Sequence, residues 1–240
     1  LWAWGLNTQG QLGQNNTISY SSPVQIPGNT WSSISSGYFS LATKTDGTLW
    51  SWGYNTFGQL GQNNTTQYSS PVQIPGTTWS SIVGGNRHAL ATKTDGTLWS
   101  WGYGSNGNLG QNNITTRSSP VQIPGTTWSS ISGGVYSLAT KTDGTLWAWG
   151  SNTYGQLGQN NVSQYSSPAQ IPGNTWSSIS GSFHTLSTKT DGTLWAWGLN
   201  NYGQLAQNNR TNRSSPVQIP GTTWSSANAG YFQSLATQLQ

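Results

Sequence analysis

The sequence predicts an all-β array built from one repeated unit of short strands, and three observations predict it. The motif "LWAWG" at Leu1 returns as "LWSWG" at Leu49 and Leu98 and as "LWAWG" at Leu146 and Leu194, at spacings of 48, 49, 48 and 48 residues. Self-similarity at such a period is the signature of a repeat architecture, and the 240 residues resolve into five copies with no linker between them. Each copy carries about four short β-prone runs separated by turn formers, with no helical apolar period, which fits a β-propeller blade or a β-solenoid coil. Charged residues make up only 5% of the chain, yet it holds 15 Trp and 10 Tyr. That aromatic content separates it from a disordered polar tract of similarly low charge.

Taken in order, the run "SLATK", a Thr-Asp-Gly turn and "TLWAWG" read as a hairpin, with Asp-Gly as the type I′ signal. A long polar connection around "GQLGQNN" follows. "SPVQIPG" is a short strand bracketed by prolines, which suits a sheet edge because Pro cannot donate to a ladder. "TWSSISSG", made mostly of small residues, is the strand expected nearest an axis, where space is tightest. Trp2, Trp4, Trp31 and their counterparts are of a size to fill the space between neighbouring sheets.

The pattern "WGxNxxGQLG", then a Pro-flanked strand, then "SGxxxSLATKxDGTLWxWG" resembles the RCC1-type (regulator of chromosome condensation-like) repeat across all 240 residues. The resemblance implies a β-propeller of four-stranded antiparallel blades, usually seven; here it implies a closed ring of five. The units start at residues 1, 49, 98, 146 and 194 and form a single domain over 1–240. The last copy supplies only two strands, over 224–238, so Leu1 to Gly5 and Pro23 to Ile26 are expected to complete that blade, two strands from each end. "KTDGT" occurs four times, and the fifth would fall at Thr237 to Gln240.

Antiparallel alternation then sorts the connections onto two sides of the blades. The turns "KTDGT" and "IPGTTW" or "IPGNTW" scarcely differ among copies. The other side carries the segments that do differ: Tyr38 and Phe39; Asn86, Arg87 and His88; Val135 and Tyr136; Phe183 and His184; Tyr231, Phe232 and Gln233. The long connections on that side add Phe57, Tyr154 and Tyr202, with Arg117 and Arg213 at their ends. The four Lys and four Asp belong to the constant turn and cancel, so the net +4 is Arg87, Arg117, Arg210 and Arg213. A varied side rich in Tyr, Phe and Arg and free of carboxylate has the composition of an interaction hot spot. These residues are the candidate binding set.

Catalysis is not expected. The chain has no Glu, and every Asp lies in the constant turn, away from both His. No carboxylate pair or Ser-His-Asp set is offered. With no Cys and two isolated His, neither a metal nor another cofactor is expected. Four uncompensated Arg, despite a sequence pI of 9.4, are too few for a phosphate-binding surface. No apolar run reaches membrane-spanning length. The expectation is a monomeric, non-enzymatic scaffold that binds a protein, with glycan binding as the alternative. A third reading is an engineered or recently amplified repeat with no defined natural ligand. The RCC1 resemblance implies two precedents, nucleotide exchange on chromatin and a secreted bacterial inhibitor of β-lactamase; the aromatic side matches the second in kind. A secreted or cell-surface bacterial setting is favoured. The absence of a Met before Leu1 suggests a processed, excised or engineered chain.

Overall fold

The structure, a computed structural model, describes residues 1–239; the last residue of the expected fifth turn, Gln240, lies outside them. The described residues form twenty strands and no helix. They divide into two compact units, 1–104 with 115–126 and 105–114 with the residues from 127 on.

In the first unit, β1 (Trp2–Gly5) and β2 (Tyr20–Gln25) make a two-stranded sheet. β3 (Trp31–Ser36), β4 (Phe39–Lys44), β5 (Leu49–Gly53) and β6 (Tyr68–Ile74) form a four-stranded antiparallel sheet in sequence order. β7 (Trp79–Gly84), β8 (His88–Lys93), β9 (Leu98–Gly102) and β10 (Arg117–Ile123) repeat it. The second unit holds two more such sheets. One is β11 (Trp128–Gly133), β12 (Tyr136–Lys141), β13 (Leu146–Gly150) and β14 (Tyr165–Ile171). The other is β15 (Trp176–Gly181), β16 (His184–Lys189), β17 (Leu194–Gly198) and β18 (Arg213–Ile219). A final pair, β19 (Trp224–Ala229) and β20 (Ser234–Gln238), is two-stranded. The Pro-bearing strand is an edge strand in every complete sheet, as its missing donor requires.

Each four-stranded sheet places three Trp on one face. Trp50 and Trp52, two apart on β5, point the same way, and Trp31 from β3 packs edge-on to Trp50 at 6.1 Å and tilted against Trp52 at 5.9 Å between ring centroids. The preceding repeat closes over this face with its long connection. Gln11 presents its carbonyl to both the Trp52 indole N–H (2.9 Å) and the Ser40 hydroxyl (2.9 Å). The next repeat does the same, with Trp101 donating to the Gln59 carbonyl at 2.8 Å. In the second unit Trp149 and Ser137 donate to Asn108, and Trp197 and Thr185 to Gln156. Gly58 is required in this latch: its φ is +76°, and a Cβ there would lie 2.5 Å from the Ser118 Cα. Nearer the small-residue strands, Gly84 N–H donates to Ser35 Oγ and Gly181 N–H to Ser132 Oγ, at 2.8 and 3.0 Å.

The described residues give β1–β2 and β19–β20 as two-stranded sheets. Two expectations are corrected. Trp2 and Trp4, expected to be packed, are 56% and 60% exposed. Trp52 and its equivalents are buried because a preceding connection lies over them, and Trp4 has no such cover. The Thr-Asp-Gly turn is also not type I′. Gly47 N–H donates to Lys44 O, and only Gly47 takes a positive φ (+77°), which is the three-residue hairpin with a left-handed Gly. Asp46 drives this choice: its Oδ1 accepts from both the amide and the hydroxyl of Thr48, at 3.0 and 2.7 Å.

Candidate binding surface

The β3–β4 and β5–β6 connections leave each sheet on the same side, and their side chains meet. In the first unit Tyr38, Tyr54, Phe57 and Tyr103 form a chain of ring contacts, with centroids 6.4, 6.3 and 5.0 Å apart in that order. Arg87 lies over it, its guanidinium 5.2 Å from the Phe57 ring and 5.8 Å from that of Tyr103, within reach of a cation–π attraction. Tyr38 is 59% exposed. In the second unit Phe183 is the hub. It stands 6.2 Å from Tyr154, 5.5 Å from Tyr231 and, stacked, 6.3 Å from Phe232. Phe232 in turn meets Tyr202 at 5.3 Å.

Constant residues hold these varied ones in place. The amides of Phe57, Tyr154 and Tyr202 each donate to the side chain of the Gln two positions on, at 2.8, 2.8 and 2.9 Å. Buried Asn55 fastens the rest of its loop. Its Nδ2 donates to the carbonyls of Asn64 (3.1 Å) and Thr66 (2.7 Å), and its Oδ1 accepts from Leu60 N–H at 2.9 Å. The two connections are tied together as well: Tyr54 N–H reaches Tyr38 O and Tyr103 N–H reaches Arg87 O.

The candidate set therefore divides. Tyr38, Arg87, Tyr202, Tyr231, Phe232 and Gln233 are exposed, and Asn86, Phe57, Tyr154 and Phe183 are partly so. Phe39, His88, Tyr136 and His184 are not surface residues: they are the first residues of β4, β8, β12 and β16 and are buried. Each pairs with the Gly that ends the following strand, so its side chain turns into the core. Val135 packs on the core beside Tyr136. Arg117 and Arg213 sit at the strand position that holds Tyr68 and Tyr165 in other repeats. Among the described residues, Arg87 is the arginine stacked on rings. Sequence reasoning passed over Tyr54 and Tyr103. Their signal was the varied position directly after each "LWxWG".

Burial lowers both histidines to about 4. For His184 the tautomer follows from its neighbour. The Ser234 hydroxyl donates to Gln204 O (2.7 Å), so it accepts from His184 Nε2–H (2.8 Å), leaving the buried Nδ1 unprotonated. Tyr136 takes the place of this His one repeat earlier; its hydroxyl bonds Thr185 Oγ1 and the His184 carbonyl, and burial raises its pKa. Among the described residues no group of three or more His, Cys, Asp or Glu is placed to hold a metal.

The repeat model "Regulator of chromosome condensation (RCC1) repeat" matches residues 1–42, 46–92, 95–139, 143–187 and 191–237. The chain belongs to the RCC1 repeat family. A second RCC1 repeat model matches 32–59 and 79–108. No curated protein matches the chain. Among solved structures, human WBSCR16 is similar at 21% identity and a TM-score of 0.86, over 100% of this chain and 67% of that one. Prp20p from Saccharomyces cerevisiae, described with its binding properties to Gsp1p and histones, is similar at 19% identity and a TM-score of 0.87, over 100% and 65%. The yeast protein bound to Kap60 gives 19% identity and a TM-score of 0.84, over 100% and 62%. These likenesses establish the propeller-type fold, and this RCC1 repeat chain spans about two-thirds of the length of each of those proteins.

Proposed function

We propose that this chain is a non-enzymatic scaffold that binds a protein through the aromatic side of its repeats. The supporting observation is the cluster of Tyr38, Tyr54, Phe57 and Tyr103 with Arg87 lying on it. Tyr and Arg supply large contact area at low cost in side-chain order, and they dominate the energetics of protein interfaces. A rigid frame of constant Gln and Asn side chains, carrying residues that vary from repeat to repeat, is the arrangement expected of a surface specialised for one partner. Yeast relatives in the same fold are described with protein partners, Gsp1p, histones and Kap60.

The test uses the chain as immobilised bait against extracts of candidate source organisms, wild type beside the triple variant Tyr38→Ala, Tyr54→Ala, Arg87→Ala. Any specific partner should be lost from the variant, with an unchanged circular dichroism spectrum. Equal capture by both proteins would sink the assignment of this side.

A further inference from the structure

The residues that do not vary make a second, repeated site. On each hairpin the Lys of "KTDGT" folds back into the corner between two indoles. Lys44 Nζ lies 4.9 Å from the Trp31 ring and 4.3 Å from that of Trp50. Lys93, Lys141 and Lys189 repeat the geometry at 4.2 to 4.8 Å from their own Trp pairs. In the first unit this corner opens into cavities of about 370 Å³, one around Lys44, Trp31, Trp50, Gln14 and Asn15 and one around Lys93, Trp79, Trp99, Gln62 and Asn63. That volume lies at the low end of the range for small-ligand sites.

The second Trp of each corner is held by a relay that begins at the turn. Trp50 Nε1–H donates to Thr48 Oγ1 (2.9 Å), whose own proton goes to Asp46 (2.7 Å). The same relay fixes Trp99, Trp147 and Trp195. Asp46 thus gives its Oδ1 to Thr48, and no carboxylate stands among the residues lining the two cavities. Asn15 lines the opposite wall in the left-handed conformation (φ 56°) and Asn63 does so at 58°; the equivalent Asn112 and Asn160 share the conformation at 57°. Such strain in a non-Gly residue persists where surrounding structure enforces it, and it clusters at binding sites. Here the enforcing bonds run from the Asn15 amide to Ser69 O and from Ser70 Oγ to Asn15 Oδ1.

We propose that these corners are saccharide sites selective for acidic sugars, and that their repetition suits a polymer of such sugars. The lining offers the Lys ammonium with indole surface beside it and no carboxylate to accept from sugar hydroxyls. A neutral sugar presents mostly hydroxyls that need acceptors; a uronate presents a carboxylate that takes the ammonium. Preorganisation of the ammonium on the two rings limits the order lost on binding. Two such corners recur in each unit, which offers a repeating ligand more than one attachment point.

The experiment is calorimetric titration of the full chain with an oligogalacturonate, its fully methyl-esterified form, and an oligothymidylate of equal charge. Binding is expected for the oligogalacturonate alone, weakening as salt rises. It should fall at least tenfold in the variant with Lys44, Lys93, Lys141 and Lys189 all changed to Gln. The single variant Lys44→Gln guards against misfolding and should lower the number of bound uronate units while leaving the remaining affinity intact. Absence of oligogalacturonate binding, equal binding of the ester, equal or stronger binding of the oligothymidylate, or binding indifferent to the Lys changes would each overturn the proposal.

Discussion

Lowering the pH should destabilise this protein before its carboxylates titrate, and His88 offers the cleanest handle. Its ring is buried and its pKa falls from the ordinary 6.5 to about 4 through desolvation. A depressed His pKa means that between those values the unfolded chain binds a proton the folded one does not. Stability is therefore complete above about 6.5 and is lost progressively as the pH drops toward 4. At 1.36 kcal/mol per pH unit, a shift of 2.5 gives an upper bound of about 3.4 kcal/mol from His88. His184, lowered to the same value, contributes a similar bound in the second unit. The four Asp act in a separate window: each is lowered, first by its Thr hydrogen bond, so their contribution is lost only below 3.8. The perturbation is His88→Phe, since Phe39 fills the same strand position one repeat earlier. Urea unfolding followed by tryptophan fluorescence at pH 7.5, 6, 5 and 4.5 reads the effect. Wild type should lose several kcal/mol over this range and the variant about half as much. A flat wild-type profile, or a slope unchanged by the substitution, would refute the assignment.

Three further outcomes are expected. Trp52→Ala should cost about 3–5 kcal/mol in urea unfolding, as for other large buried aromatics, whereas Trp4→Ala should cost less than about 1 kcal/mol because its ring is exposed; equal costs would mean that β1 is covered in solution by a sheet partner. Asn55→Ala removes three hydrogen bonds of a buried side chain and should cost about 2–4 kcal/mol, with faster hydrogen exchange confined to residues 54–68 by mass spectrometry. Thr97→Val breaks the relay from Trp99 to Asp95 and should cost about 1–2 kcal/mol, with a change in the near-ultraviolet dichroism of tryptophan; an unchanged spectrum would show that the relay does not hold the ring.

Periodicity carried most of the architecture. Strand order, the edge position of the Pro strand and the side from which the varied loops leave all follow from four short runs per unit and antiparallel alternation. What stayed hidden depended on single side chains. Asp-Gly suggested one hairpin turn, but Asp46 capping Thr48 selected another. Phe39 and His88 looked like loop residues beside Tyr38 and Arg87, yet strands begin one position earlier than the small-residue pattern implied and turn them inward. The Lys of the constant turn read as a charge balanced by its Asp. Only the fold shows that it lies on two indoles, one from each of the strands flanking its own.

The latch between repeats has a direction. A buried indole N–H in one repeat relies on a carbonyl from the repeat before it, as Trp52 does on Gln11. Removing the upstream repeat uncovers that indole to water, as Trp4 already is, and leaves a large apolar ring on the cut face. Removing the downstream repeat frees a carbonyl, which water satisfies. Truncation from the N-terminal side therefore leaves the stickier face, and the shortened protein should self-associate more readily than one cut by an equal length from the other end.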